Sequence, residues 1–84
     1  MVADIGIGDV VVGTCGPDQG KYYRLLAFGE HTTTGEREAI YQALYPPFGT
    51  FVRPESEFLE RTPQGYRFEV MTVTELANLA SKIR

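Results

Sequence analysis

Side chains able to cross-link the chain or hold a metal are scarce: among 84 residues there is one cysteine, Cys15, and one histidine, His31. A zinc site takes about four nitrogen or sulfur ligands, so no metal and no intramolecular disulfide are expected within one chain. Basic residues are few as well, eight Lys and Arg against eleven Asp and Glu, which leaves a net charge of −3. Polyanions are held by clusters of Lys and Arg, and here those residues are scattered, which argues against general nucleic-acid binding. Long apolar runs are missing. The longest, Leu25 to Phe28, falls far short of the roughly 20 residues of a membrane helix. The first twenty residues hold no Lys or Arg and carry Asp4, Asp9 and Asp18, so the basic start of a signal peptide is absent. Together with the lone thiol, this reads as cytoplasmic.

What is present is enough apolar surface for one small domain spanning residues 1–84. Hydrophobic residues make up 43%, and five Tyr and five Phe supply the bulk, so the chain can offset the entropy of ordering itself. No repeat, low-complexity tract or linker divides it. Val10, Val11 and Val12 between Gly8, Asp9 and Gly13 read as a short β-branched strand. Pro17 to Gly20 reads as a turn, because proline presets φ and glycine tolerates positive φ. Lys21 to His31 is extended in character, with Tyr23, Leu25 and Ala27 on one face and Tyr22, Leu26 and Phe28 on the other.

The stretch from Thr32 to Tyr45 supports two structures. Thr33 with Glu36 resembles a capping box, and Ala39, Ile40, Ala43 and Leu44 fall at helical spacing before Pro46 and Pro47. The rival reading makes Thr34-Gly35 a hairpin tip, with Glu38 to Tyr45 returning antiparallel to Tyr22 to Phe28. Further on, Phe51-Val52-Arg53 is a short strand stopped by Pro54, which suits the start of a single helical turn over Glu55-Ser56-Glu57. Phe58 and Leu59 then pack inward. Thr62 to Gly65 is a turn, and Tyr66, Phe68 and Val70 alternate with Arg67 and Glu69 as in a half-buried strand. Thr72 and Glu75 form a capping box, with Met71 and Leu76 as a hydrophobic staple, for a C-terminal helix over about 73–83.

Three blocks occur in order: Tyr23 to Glu36, Ile40 to Tyr45, and Phe51-Val52-Arg53-Pro54 followed by Phe58-Leu59-Glu60. This succession resembles the bacterial domain-of-unknown-function family 1653. The chain departs from that family's pattern at Gly29 (Ala), Thr32-Thr33 (Ser-Glu), Phe51 (Trp) and in its Gly-Pro-Asp-Gln-Gly approach at residues 16–20. The resemblance implies a small, strongly bent antiparallel barrel of the SH3-like or Sm-like kind. It would comprise about five strands over residues 6–71, with the helix lying beyond the family core. It also implies that Glu38 to Tyr45 is a strand. No activity comes with the family, so no catalytic residue is carried over.

Candidate chemistry is sparse. Gly16 to Lys21 has three residues between its glycines and Tyr22 after its lysine, unlike a phosphate loop, which needs four residues and then Ser or Thr. His31 beside a threonine-rich turn reads as a polar loop contact. Glu36, Glu38, Glu55 and Glu57 read as a solvated face, because acid catalysis needs a carboxyl buried enough to raise its pKa. Tyr41, Tyr45, Phe48, Phe51 and Arg53 flank the double-proline loop, and aromatics and arginine are enriched at binding hot spots. The sequence thus indicates a non-enzymatic binding module without cofactor, whose partner is a protein contacting these residues and exposed strand edges. Single-stranded RNA on an Sm-like surface is the alternative, ahead of a small ligand or an enzymatic role. Self-association through strand edges or the C-terminal helix fits the same features.

Overall fold

Residues 6–9 form a tight turn in which the Gly6 N–H donates to Asp9 Oδ2 at 2.8 Å and the Asp9 N–H to the Gly6 carbonyl at 3.0 Å. This turn launches the valine run as strand β1 (Val10–Gly13). The computed structural model describes residues 5–63, 65–71, 74 and 76–78. A 3-10 turn (Gly16–Asp18) leads into β2 (Tyr22–Glu30), followed by β3 (Arg37–Ala43), β4 (Thr50–Pro54), a one-turn helix α1 (Glu55–Phe58), the short pair β5 (Arg61–Thr62) and β6 (Gly65–Tyr66), and β7 (Phe68–Val70). The main sheet is antiparallel in the order β4-β3-β2-β1-β7, and β5 with β6 makes a separate hairpin.

The segment with two readings is a strand. Gly35 sits at φ 76°, a conformation glycine adopts without penalty, and the His31 N–H donates to the Glu36 carbonyl at 2.7 Å. These contacts close the hairpin between β2 and β3, and Ala39, Tyr41 and Ala43 then alternate inward. The strand ends at Ala43, two residues earlier than expected. Leu44 to Pro47 turn away there, through a cis Pro46–Pro47 bond.

Two face assignments are corrected. The β2–β3 register shifts between Leu25 and Ala27, so that Leu25 opposes Tyr41 and Ala27 opposes Ile40. The extra residue is a β-bulge, which reverses the parity of the strand beyond it. Phe28 therefore packs against the core, on the side of Tyr23 and Leu25. Val70 is 39% exposed although Phe68 is fully buried, and the expected single strand is broken at Arg67, with Tyr66 paired to Arg61 in the small hairpin.

The sheet curls without closing. On a flat sheet β3 and β7, three places apart, would be separated by about 14 Å, yet the rings of Tyr41 and Phe68 lie 5.9 Å apart. Phe58 from α1 fills the concavity and stacks on Phe68 at 4.7 Å. β4 and β7 are nonetheless the two ends of the strand order and do not pair, so the fold is an open, mainly β sheet with short helices and not a closed barrel. The expected C-terminal helix falls mostly outside the described residues, of which Thr74, Leu76, Ala77 and Asn78 are helical.

Candidate functional site

Register brings the aromatic residues together. Tyr41 lies directly across from Phe51, and Tyr23 lies across from Ala43, one diagonal step from Tyr41. Such cross-strand and diagonal neighbours are within reach of aromatic side chains. Arg53 shares the inward face of β4 with Phe51 and opposes Ala39. The small Ala39 and Ala43 thus leave room beside the larger groups, and residues Asp18, Tyr23, Tyr41, Tyr45, Phe51 and Arg53 line a cavity of about 260 Å³.

Asp18 reaches this cavity through a backbone contact. Gly13 lies so close to the 3-10 turn that a Cβ built on it would sit 2.2 Å from the Asp18 carbonyl oxygen. The Gly13 N–H donates to Lys21, and its carbonyl accepts from Gly20, both at 2.9 Å. The turn is thereby fastened to β1 with the Asp18 side chain directed at β2.

A polar chain runs along the cavity wall. The Tyr23 hydroxyl donates to Asp18 Oδ1 at 2.8 Å and lies 2.9 Å from the Tyr45 hydroxyl. A phenol has one proton, and Tyr23 gives its own to Asp18. Tyr45 is therefore the donor to Tyr23. Arg53 donates from Nε to the Tyr41 hydroxyl at 3.2 Å and from Nη2 to Asp18 Oδ2 at 3.3 Å, with Glu57 3.5 Å from Nη1. Burial foremost, and then the hydrogen bonds to Tyr45 and Asp18, push the Tyr23 pKa well up. The hydrogen bond to Tyr41 is the main cause that raises Arg53, which stays a guanidinium cation.

Four of the residues singled out in the sequence, Tyr41, Tyr45, Phe51 and Arg53, meet at this cavity. Tyr41 is almost fully buried, whereas Phe51 is 44% exposed at the rim. Phe48 is not part of the lining. It sits on the adjoining loop, 54% exposed, with its backbone at φ 59°. His31 lies at the far end of β2, where Nδ1 accepts the Thr33 and Thr34 N–H groups, each at 3.2 Å. Nothing in the sequence marks Asp18 or Tyr23 as a site residue, since one lies in a turn and the other on a strand face. Glu55 pairs with Arg37 at 2.8 Å. Arg37 in turn lies over the Phe28 ring at 4.3 Å, beside a second cavity of about 390 Å³ lined by Ile7, Phe28, Gly29, Glu30 and Arg37.

Among the described residues no cluster of three His, Cys, Asp or Glu side chains could hold a metal, and no helix is long and apolar enough to cross a membrane. The polar groups at the first cavity engage one another, and Phe51 stands half-exposed at its rim. Residues 19–70 match the family described as "Protein of unknown function (DUF1653)", and the chain belongs to that family. No curated protein and no solved structure matches it.

Proposed function

We propose that this member of the DUF1653 family, whose function is unknown, is a non-enzymatic binding module that takes a protein partner along β4 and over the aromatic cavity. The observation that carries this reading is the position of β4. It ends the strand order, and its inward residues Phe51 and Arg53 are walls of the cavity. An extended segment adding to a free edge gains main-chain hydrogen bonds and presents alternate side chains to the adjoining pocket. Val52, 63% exposed on the outer face of the same strand, enlarges the apolar contact. Phe48 supports the reading, since a bulky residue at positive φ costs about 1–2 kcal/mol and such strain gathers at recognition sites.

A protein partner fits better than RNA. Arg53 is shared between Asp18 and Glu57, and the chain carries a net charge of −3, whereas nucleic-acid affinity rests on cations free to meet phosphates. Kinship with SH3-like and Sm-like barrels is supported by the curl of the sheet. Cytoplasmic residence fits the single thiol. Self-association would use the same edge, with β4 of a second copy as the added strand.

Selection of displayed peptides on the native protein, with counter-selection on Phe51→Ala, tests the docking reading. A shared peptide pattern that is lost with Phe51→Ala supports it. Absence of any pattern, or a pattern that Phe51→Ala retains, overturns it, and retention of short RNA by the native protein would favour the nucleic-acid alternative.

A further inference from the structure

Resting on that docking site, we propose that the cavity takes a cationic side chain, lysine or arginine, from the partner. The first support is the ring geometry. The Tyr23 ring meets Tyr41, Tyr45 and Phe51 at centroid distances of 5.3, 5.7 and 6.4 Å and interplanar angles of 85°, 76° and 83°. Three rings thus pack edge-to-face on a common fourth, and all four border the cavity. Aromatic faces carry negative potential and attract ammonium and guanidinium groups within about 6 Å.

The second support is that this cluster already holds the chain's own cations. Lys21 Nζ lies 5.5 Å over the Tyr45 ring, and Arg53 Cζ lies 5.9 Å over Phe68. Lys21 is solvent-exposed. An incoming cation competes with the Lys21 ammonium for the Tyr45 ring.

The third support is the direction of the hydrogen bonds. Tyr23 spends its proton on Asp18, and Tyr45 spends its proton on Tyr23. The Tyr45 oxygen and the remaining lone pairs of the Asp18 carboxylate are therefore acceptors, which suits head groups that only donate. An anion would meet the Tyr41 hydroxyl proton and an Arg53 already divided between two carboxylates.

The test is a titration of the folded protein, followed by aromatic and amide NMR shifts, with n-butylammonium chloride and sodium butyrate at constant ionic strength. The expected result is saturable movement of the Tyr41, Tyr45 and Phe51 signals with butylammonium, about fivefold tighter than with butyrate. Phe51→Ala, a change at a half-exposed position, should weaken butylammonium by a similar factor, and Lys21→Gln should tighten it by removing a like charge. Equal or tighter butyrate binding, absence of saturation, or indifference to both substitutions overturns the proposal. Its failure is distinct from that of the docking reading: a Phe51-dependent peptide pattern without Lys or Arg leaves docking intact and removes the cationic ligand. Absence of any pattern removes docking, and the titration still judges the cavity.

Discussion

Arg53 binds Asp18, Glu57 and the Tyr41 hydroxyl together, and this determines what a substitution there reports. An exposed ion pair contributes about 0–1 kcal/mol. The guanidinium here is largely covered, its side chain 24% exposed against 17% for Asp18, and removing it takes from Asp18 its cationic partner. Arg53→Ala should therefore lower unfolding stability by about 1–3 kcal/mol in urea titrations, so lost binding in that variant would mix two causes. Phe51, at the rim, is the cleaner probe of recognition. Tyr23 offers a second check. Its ordinary pKa is 10.0, and burial together with Tyr45 and Asp18 raises it in the folded state. Above about pH 10 the unfolded chain releases this proton while the folded chain keeps it, so stability falls as pH rises, with a limiting slope of about 1.4 kcal/mol per pH unit. Tyr23→Phe removes that proton. It should be less stable than the native protein at neutral pH, and its stability should decline less steeply between about pH 10 and 11.5. An identical slope in denaturant midpoints would show that Tyr23 does not carry this dependence. At this scale the sequence revealed the residue types near the double-proline loop. It could not reveal Asp18, whose role depends on how a turn eighteen residues into the chain lies against a strand.

Among the elements, those with strong local signals were legible: the valine strand, the Pro17 turn and the helical turn after Pro54. The segment before Pro46 was legible only through the family resemblance. Its helical spacing of Ala39, Ile40, Ala43 and Leu44 is also compatible with a strand, and pairing with both β2 and β4 decides the matter. The bulge in β2 left no local mark, because inserting one residue changes the face of Phe28 without changing composition. The junction of β1 with the 3-10 turn was equally silent, although the site depends on it. Gly13 is buried, and a methyl group there would overlap the Asp18 backbone. Gly13→Ala must push the turn away, at about 1–3 kcal/mol for an overpacked position. The expected outcome is a lowered melting temperature together with NMR shift changes at Asp18, Tyr23 and Tyr45. Gly8→Ala is a contrasting control: nothing lies within 4 Å of a Cβ there, so any cost comes from its positive φ and should leave the cavity signals in place. If Gly13→Ala moves none of the cavity signals, the turn is not what positions Asp18.

For the whole molecule, the family-matched span and the folding unit differ. The match covers residues 19–70 and so begins beyond β1 and beyond Asp18. β1 is nevertheless interior to the sheet, paired with β2 on one side and β7 on the other. It buries Val10 and Val11, and its Val10 carbonyl accepts the Met71 N–H at 2.9 Å. Without β1, β7 has no strand to pair with, Phe68 loses the backbone that holds it against Tyr23 and Phe58, and the Asp18 contact disappears. Each fully buried side chain contributes about 1.5–3 kcal/mol, while a domain of this size is held by only about 5–10 kcal/mol in total. Losing Val10 and Val11, and with them the burial of Phe68, therefore removes a share comparable to the whole margin. A fragment of residues 19–70 should show no cooperative thermal transition by circular dichroism and poorly dispersed amide signals, whereas a fragment of residues 5–71 should melt cooperatively. A folded 19–70 fragment would mean that β4, β3 and β2 with α1 form a self-sufficient core, to which β1 and β7 are only appended.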